Sequence, residues 1–267
     1  MKVRSLCTVS LVAVILGTSL AGGTQASAAP QELPSTGTVE VIEGGDPGKG
    51  KTPDPEDPDK KLPDHPEIED NKDGGALMID QVSNLNFGTI KTSSKDVEAF
   101  AAPIDLTKAT PAGVGTRGAI VGWTDIRANG VYGYEVTAEL TQQFTGTAAN
   151  GSTILDSSTI DYLNGMAVPD SENKNIVPSD TKTGFKLAFG GGAQPVVTAD
   201  KAAKEGKGTY VMEFGQSKDY TPGAGAPAGN PGTDGTSVKL TVPSATASNM
   251  SIDTYTAIVT WKIVAAQ

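Results

Sequence analysis

Residues 253–263 read Asp-Thr-Tyr-Thr-Ala-Ile-Val-Thr-Trp-Lys-Ile, and their apolar positions recur with a period of two. That spacing places Tyr255, Ala257, Val259, Trp261 and Ile263 on one face of a β-strand, with Thr256, Thr260 and Lys262 on the other. A strand that hides one face and wets the other belongs in an antiparallel sheet with a core on one side. Further alternating or β-rich runs occur at 76–80, 84–89, 97–106, 118–123, 131–140, 153–163, 185–189, 194–198, 209–214 and 237–242. Turn formers such as Asn150-Gly151, Gly190-Gly191-Gly192 and Pro222-Gly223 separate them. A helical period shows only weakly, around Asp200–Glu205. The pattern predicts an all-β fold over residues 76–267, an antiparallel β-sandwich with Greek-key connections.

Residues 1–28 read as an export signal. Lys2 and Arg4 precede an apolar stretch from Leu6 to Ala21, and Ala26-Ser27-Ala28 supplies the small-residue cleavage site. The apolar stretch is too short and too polar for a membrane span, so none is expected after cleavage. The one cysteine, Cys7, falls within the signal, so the mature domain is expected to be held by its core without disulfides. Removing Lys2 and Arg4 leaves 19 basic residues against 31 acidic ones, a net charge of −12. Such a surface excludes ordinary nucleic-acid binding, which relies on cationic side chains. It would also be repelled by teichoic-acid phosphates, so bulk charge is not expected to hold the chain on a cell wall.

Residues 29–42 form an N-terminal segment in which Thr38–Ile42 has the look of a short strand. Residues 43–75 have no apolar period and carry six prolines among acids. They read as a disordered, Pro-rich acidic tether that could span on the order of 100 Å. That reach would let residues 39–42 join a sheet of the following domain. The Gly-, Pro- and Ala-rich stretch Tyr220–Gly235 reads as a mobile surface loop.

After the last strand, the clearest is 131–140, where Tyr132, Tyr134, Val136, Ala138 and Leu140 share a face. A polar turn, Asp125-Ile126-Arg127-Ala128-Asn129-Gly130, precedes it. With Leu85-Asn86-Phe87-Gly88, the Ala199–Gly215 stretch and Val238-Lys239-Leu240-Thr241-Val242-Pro243, these segments resemble the WxL domain of Gram-positive bacterial cell-surface proteins. The order of the segments across the mature chain carries the resemblance. Two signatures depart from the family pattern. Tyr134-Glu135-Val136 stands where the first Trp-x-Leu belongs, and Trp261-Lys262-Ile263 ends in Ile. Trp123 occupies a position where the pattern asks for no tryptophan. The resemblance implies a secreted, non-enzymatic protein of the cell wall or cell surface that associates non-covalently with peptidoglycan. It also implies surface complexes with WxL-interacting and sortase-anchored proteins, and no cofactor.

The residues themselves offer little catalytic chemistry. His65, the only histidine, sits among prolines in the expected tether, which leaves a Ser-His-Asp or Cys-His arrangement without an oriented imidazole. Zinc sites built on His or Cys fail likewise, and no metal is expected. Asp54, Glu56, Asp57 and Asp59 lack the glycine-centred loop of a calcium site and read as solvated charge. A wall glycoside hydrolase would need two facing carboxylates. Asp125, Glu135, Glu139, Asp161 and Glu213 are the candidates, and nothing in the sequence pairs two of them. Leu33-Pro34-Ser35-Thr36-Gly37 matches a sortase motif formally but lies near the mature N-terminus, so it reads as coincidence.

Six residues remain as candidates for a motif or ligand role: Asp125, Arg127, Tyr134, Val136, Trp261 and Ile263. Asp125 and Arg127 could brace a loop through a bidentate pair or meet a ligand. Trp261 and Ile263 could be core or an aromatic platform for sugar rings. A host-ligand adhesin, or a surface-complex subunit anchored through a protein partner, is the alternative to direct wall binding.

Overall fold

The computed structural model describes residues 36–42, 44, 52–147, 153–223 and 225–266. The expected export signal, residues 29–35, most of 43–51 and the Asn150-Gly151 turn lie outside these residues. By contacts the chain divides into Met1–Glu40 and Val41–Gln267. Residues 36–40, the described part of the first unit, are exposed and form no strand.

The described residues form seventeen strands. The first six are β1 (Pro53–Asp54), β2 (Asp57–Lys61), β3 (Ile68–Asp70), β4 (Leu77–Ser83), β5 (Val97–Phe100) and β6 (Ile104–Asp105). Then come β7 (Thr116–Arg117), β8 (Ala119–Asp125), β9 (Tyr134–Thr145), β10 (Thr159–Tyr162), β11 (Gly165–Pro169) and β12 (Asp180–Thr181). The last five are β13 (Phe185–Ala188), β14 (Gln194–Ala199), β15 (Gly208–Phe214), β16 (Val238–Val242) and β17 (Thr256–Ala265). A single helical turn, α1 (Ser244–Ala247), follows Pro243.

All ladder pairings are antiparallel, as the alternation predicts. The main sheets run β11-β15-β8-β4-β3, β12-β14-β9-β17 and β13-β10-β16-β5. Their inner faces share one core, including Val121, Trp123, Val136, Leu140, Ile160, Tyr210, Met212, Phe214 and Leu240. Among the described residues β17 pairs only with β9, at the edge of its sheet. Its alternation is as expected, with Ala257, Val259, Trp261 and Ile263 half-buried and Thr256, Ile258, Thr260, Lys262 and Val264 exposed.

The tether expected over 43–75 is not free over its described part. β1, β2 and β3 lie in this stretch, and Thr52, Asp54, Leu62 and His65 are buried. Leu62 and Ile68 join Ile104, Leu106, Ile120, Met166, Val168, Val211 and Tyr220 in a second apolar cluster. β8 and β15 send Val121, Trp123, Tyr210, Met212 and Phe214 into the main core but Ile120 and Val211 into this second cluster. Their sheet is therefore apolar on both faces and needs a cover on each, and residues 52–68 form part of the outer one. Gly122 makes room for the strap: a Cβ there would lie 2.6 Å from Thr52 Oγ1.

An ion cluster pins the same strap. Arg117 Nε and Nη2 donate to Asp54 Oδ1 and Oδ2 at 2.6 and 2.7 Å, and Arg117 Nη1 lies 3.2 Å from Glu56 Oε2. Glu56 also accepts from Ser217 Oγ at 2.6 Å. Asp54 and Glu56 are thus paired beneath the surface rather than solvated. His65 is fixed as well, its Nδ1 accepting from the Glu67 amide at 3.1 Å while Nε2 faces the Asp105 carbonyl at 3.0 Å.

Other expectations shift at the level of elements. Residues 84–89 join no ladder, and the chain turns at Gly88 (φ 66°), whose amide donates to Asn86 Oδ1 at 2.9 Å; 97–106 splits into β5 and β6, and 153–163 keeps a ladder only at β10. Among the described residues Thr38–Ile42 forms no strand pair, and Val39 and Val41 are 88% and 82% exposed. Residues 200–204 form turns, with Lys204 at φ 58°, rather than a helix. The loop 220–235 is anchored at several points in its described residues. Tyr220 donates to the Pro227 carbonyl at 2.6 Å, and the amides of Asn230 and Gly232 reach buried Gln216 at 2.6 and 2.9 Å.

Candidate functional site

The two altered signatures come together on neighbouring strands. Val136 lies opposite Ile263, Ala138 opposite Trp261, and Tyr134 opposite Ala265 in the β9–β17 ladder. All the motif side chains face the core, but to different depths. Tyr134 and Val136 are fully buried, whereas Trp261 and Ile263 on the edge strand are half-buried.

Tyr134 has its own partner. Trp123 Nε1 donates to the Tyr134 hydroxyl at 2.6 Å, and the indole stacks on Tyr210 with centroids 5.6 Å apart. Burial pushes the Tyr134 hydroxyl well above the ordinary phenol range and Tyr210 up to about 12. Neither is a proton carrier at neutral pH.

Asp125 and Arg127 form the bidentate pair that their spacing allowed. Arg127 Nε and Nη2 reach Asp125 Oδ1 and Oδ2 at 2.9 and 2.7 Å. Lys207 Nζ adds a contact to Asp125 Oδ1 at 2.9 Å and another to the Arg127 carbonyl at 2.7 Å. Arg127 Nη2 also donates to the Gly133 carbonyl at 2.9 Å, tying this turn to the start of β9. Burial alone would raise the Asp125 carboxyl, but bonds from Arg127 and Lys207 outweigh it and hold the group below its usual value. The arrangement is an internal brace, with Asp125 completely enclosed.

The five carboxylates considered for hydrolysis are taken up separately. Asp125 sits in the brace, Asp161 lies 3.3 Å from Lys186, and Glu213 is enclosed beneath the strap. Glu135 and Glu139 share the outer face of β9. Four strand residues put them ~13 Å apart, beyond the spacing of a glycosidase pair. No group of three or more His, Cys, Asp or Glu side chains among the described residues is placed to hold a metal ion.

A groove of about 1000 Å³ opens beside the second signature. Residues 82–92 form one wall and residues 250–257, with Val259 and Trp261, the other. Phe144, Leu155, Ile160, Tyr162 and Leu240 make an apolar floor. Trp261 is held there by rings, edge-on to Tyr162 at 5.9 Å and Phe185 at 6.1 Å, and tilted against Phe214 at 6.2 Å. The facing wall is anchored through Leu85, Phe87 and Ile90, which pack on the core, Phe87 edge-on to Phe144 at 5.9 Å. Asn84, Asn86, Thr89, Lys91, Thr92 and Thr254 supply polar groups along the rim. Sequence reasoning missed this groove, because the Leu85-Asn86-Phe87-Gly88 segment reads as a strand when only its periodicity is considered.

Compared with protein families, residues 28–266 match the WxL domain described as surface cell wall-binding. No curated protein and no solved structure matches the chain.

Proposed function

The chain belongs to the WxL family of surface cell wall-binding proteins, and we propose that it is a secreted, non-enzymatic member that binds peptidoglycan directly and non-covalently. The observation that carries this reading is the groove between residues 82–92 and 250–261, with Trp261 of the second signature in one wall. It has the anatomy of a ligand site: concave, apolar within, with a few polar groups at the rim. Net negative charge argues against ionic docking on wall phosphates, so a neutral groove is the better candidate for contact. Sedimentation with purified sacculi, with and without teichoic acids, tests it. Binding that survives teichoic-acid removal is expected; loss of binding on their removal would contradict it.

Docking through WxL-interacting or sortase-anchored surface proteins is a second route. It is favoured by one observation, the exposed Val39, Val41 and Ile42 beside Glu40. Such a segment suits β-strand addition to the sheet of a partner. A variant lacking residues 29–43 should then keep its domain stability and lose capture by that partner.

A further inference from the structure

Glu213 is a buried carboxyl with few groups to bind. It lies on the outer face of β15, fully enclosed, with Ile120 of β8 and Met166 of β11 as its cross-strand neighbours. Its Oε1 accepts from the Gly118 amide at 2.9 Å, and among the described residues its Oε2 has no hydrogen-bond partner. Four groups face it: Asp54 from β1, Glu56 from the turn after β1, Arg117 from β7 and Tyr220 from the loop beyond Ser217. Arg117 is the cation among them, and its donors are already engaged. Nε and Nη2 go to Asp54, while Nη1 serves the Thr116 carbonyl at 2.7 Å and Glu56 at 3.2 Å. An ionised Glu213 would be a third carboxylate against one guanidinium, flanked by apolar side chains that cannot solvate it. Tyr220, pushed up by burial and by the Glu213 and Glu56 charges, supplies no compensating charge.

The strap is the element free to respond. β15 is locked between β8 and β11, whereas among the described residues β1 and β2 pair only with each other. Side chains hold this hairpin on the sheet: Thr52 against Gly122, Asp54 and Glu56 with Arg117, Glu56 with Ser217, and Lys61 with Asp170. Beyond it, Leu62 and Ile68 are buried in the second cluster, and β3 pairs with β4. A cavity of about 310 Å³, bordered by Glu56, Arg117, Ser217 and Tyr220, opens beside the ion cluster and gives water a way in.

We propose that residues 53–61 form a latch operated by pH, closed over Glu213 while its carboxyl is neutral and released when it ionises. Closure keeps water from Glu213, so the proton is held more tightly in the closed state than in the open one. The closed latch is favoured in full below the ordinary carboxyl value, pH ~4.3, and loses ground as pH rises towards the closed-state value. Release is local. Residues 53–61 lift, the anchor at 62–68 stays, and the outer face of β8 and β15 becomes wet. Resistance of this stretch to proteases is accordingly a property of the acid side of the transition. The device is independent of what the groove binds.

Backbone hydrogen exchange of the mature chain, followed from pH ~5 to ~9 and corrected for the intrinsic rate, tests this between the ordinary carboxyl and phenol ranges. A lone two-stranded hairpin is marginal in water, so its amides exchange once it lifts. Protection of residues 53–61 should fall about tenfold or more over that range, while β8 and β9 keep theirs. Glu213→Gln, which keeps the shape and cannot ionise, should hold protection level throughout. Glu56→Gln removes a facing charge and should shrink the fall without abolishing it. Protection independent of pH in the wild type, the same fall in Glu213→Gln, or an undiminished fall in Glu56→Gln would overturn the proposal. So would a fall shared equally by β8 and β9, since that is unfolding of the whole domain rather than release of a latch.

Discussion

Trp123 donates its indole N–H to the hydroxyl of Tyr134 at 2.6 Å in the centre of the core. The two residues that depart from the expected first signature, a tyrosine in the motif and a tryptophan outside it, are therefore one buried unit. Removing the hydroxyl with Tyr134→Phe leaves the indole N–H unpaired and should cost ~1–3 kcal/mol in denaturant unfolding. Tyr134→Trp, which restores the family residue, should also destabilise, by ~1–3 kcal/mol from overpacking. There is no slack beside the ring, since a Cβ at Gly206 would lie 2.6 Å from Tyr134 Cε1. Neither variant should bind sacculi more tightly per folded molecule, and a gain with Tyr134→Trp would mean that this signature reaches the ligand after all.

The Asp125 brace is the second test of structure against contact. Asp125→Asn leaves Arg127 and Lys207 without their shared carboxylate, at an expected cost of ~3–5 kcal/mol. Thermal unfolding would read this directly. A fully stable variant that fails to bind would instead assign Asp125 to recognition.

The strap makes a prediction opposite to that of a tether. Residues 52–68 should resist limited proteolysis in the native protein, because Thr52, Leu62 and Ile68 are buried and Asp54 is paired to Arg117. Gly122→Ala or Arg117→Met should expose this stretch to cleavage before the rest of the domain unfolds. Prompt cleavage within 52–68 in the wild-type chain would restore the tether.

Stability should depend on pH through Glu213. Burial is the main cause of its raised pKa, with the nearby Glu56 charge adding to it and the Gly118 amide and Arg117 opposing. The folded state therefore keeps a proton that the unfolded state releases above pH ~4.3, so stability should fall as pH rises from there towards the raised native value. Asp125 acts in the other direction, since its lowered pKa makes stability fall in acid. Glu213→Gln should flatten the alkaline side of a Tm-against-pH curve while leaving the acid side unchanged. An unaltered slope would show that another group carries the dependence.

The strand alternation of β9 and β17 was legible because each strand has one face in the core, so period two maps directly onto burial. The spacing of Asp125 and Arg127 allowed a pair at a turn but left a loop brace and a ligand contact both open. The strap was not legible, because its composition is that of a solvated linker and only Leu62 and Ile68 anchor it in the second cluster. A signal for it did exist elsewhere. Ala-Ile-Val-Gly-Trp at 119–123 and Tyr-Val-Met at 210–212 are apolar at consecutive positions, which marks strands covered on both faces. The groove was hidden for a different reason. Whether Asn84–Thr89 pairs with a neighbour or stands apart from it depends on long-range geometry, which local periodicity does not encode.

Co-sedimentation of the mature chain with teichoic-acid-free sacculi, for wild type and Thr89→Trp at matched Tm, tests the central claim most directly. Saturable binding by the wild type, lost in Thr89→Trp, is the predicted result. Equal binding by both proteins would place the wall contact outside the groove and contradict the account.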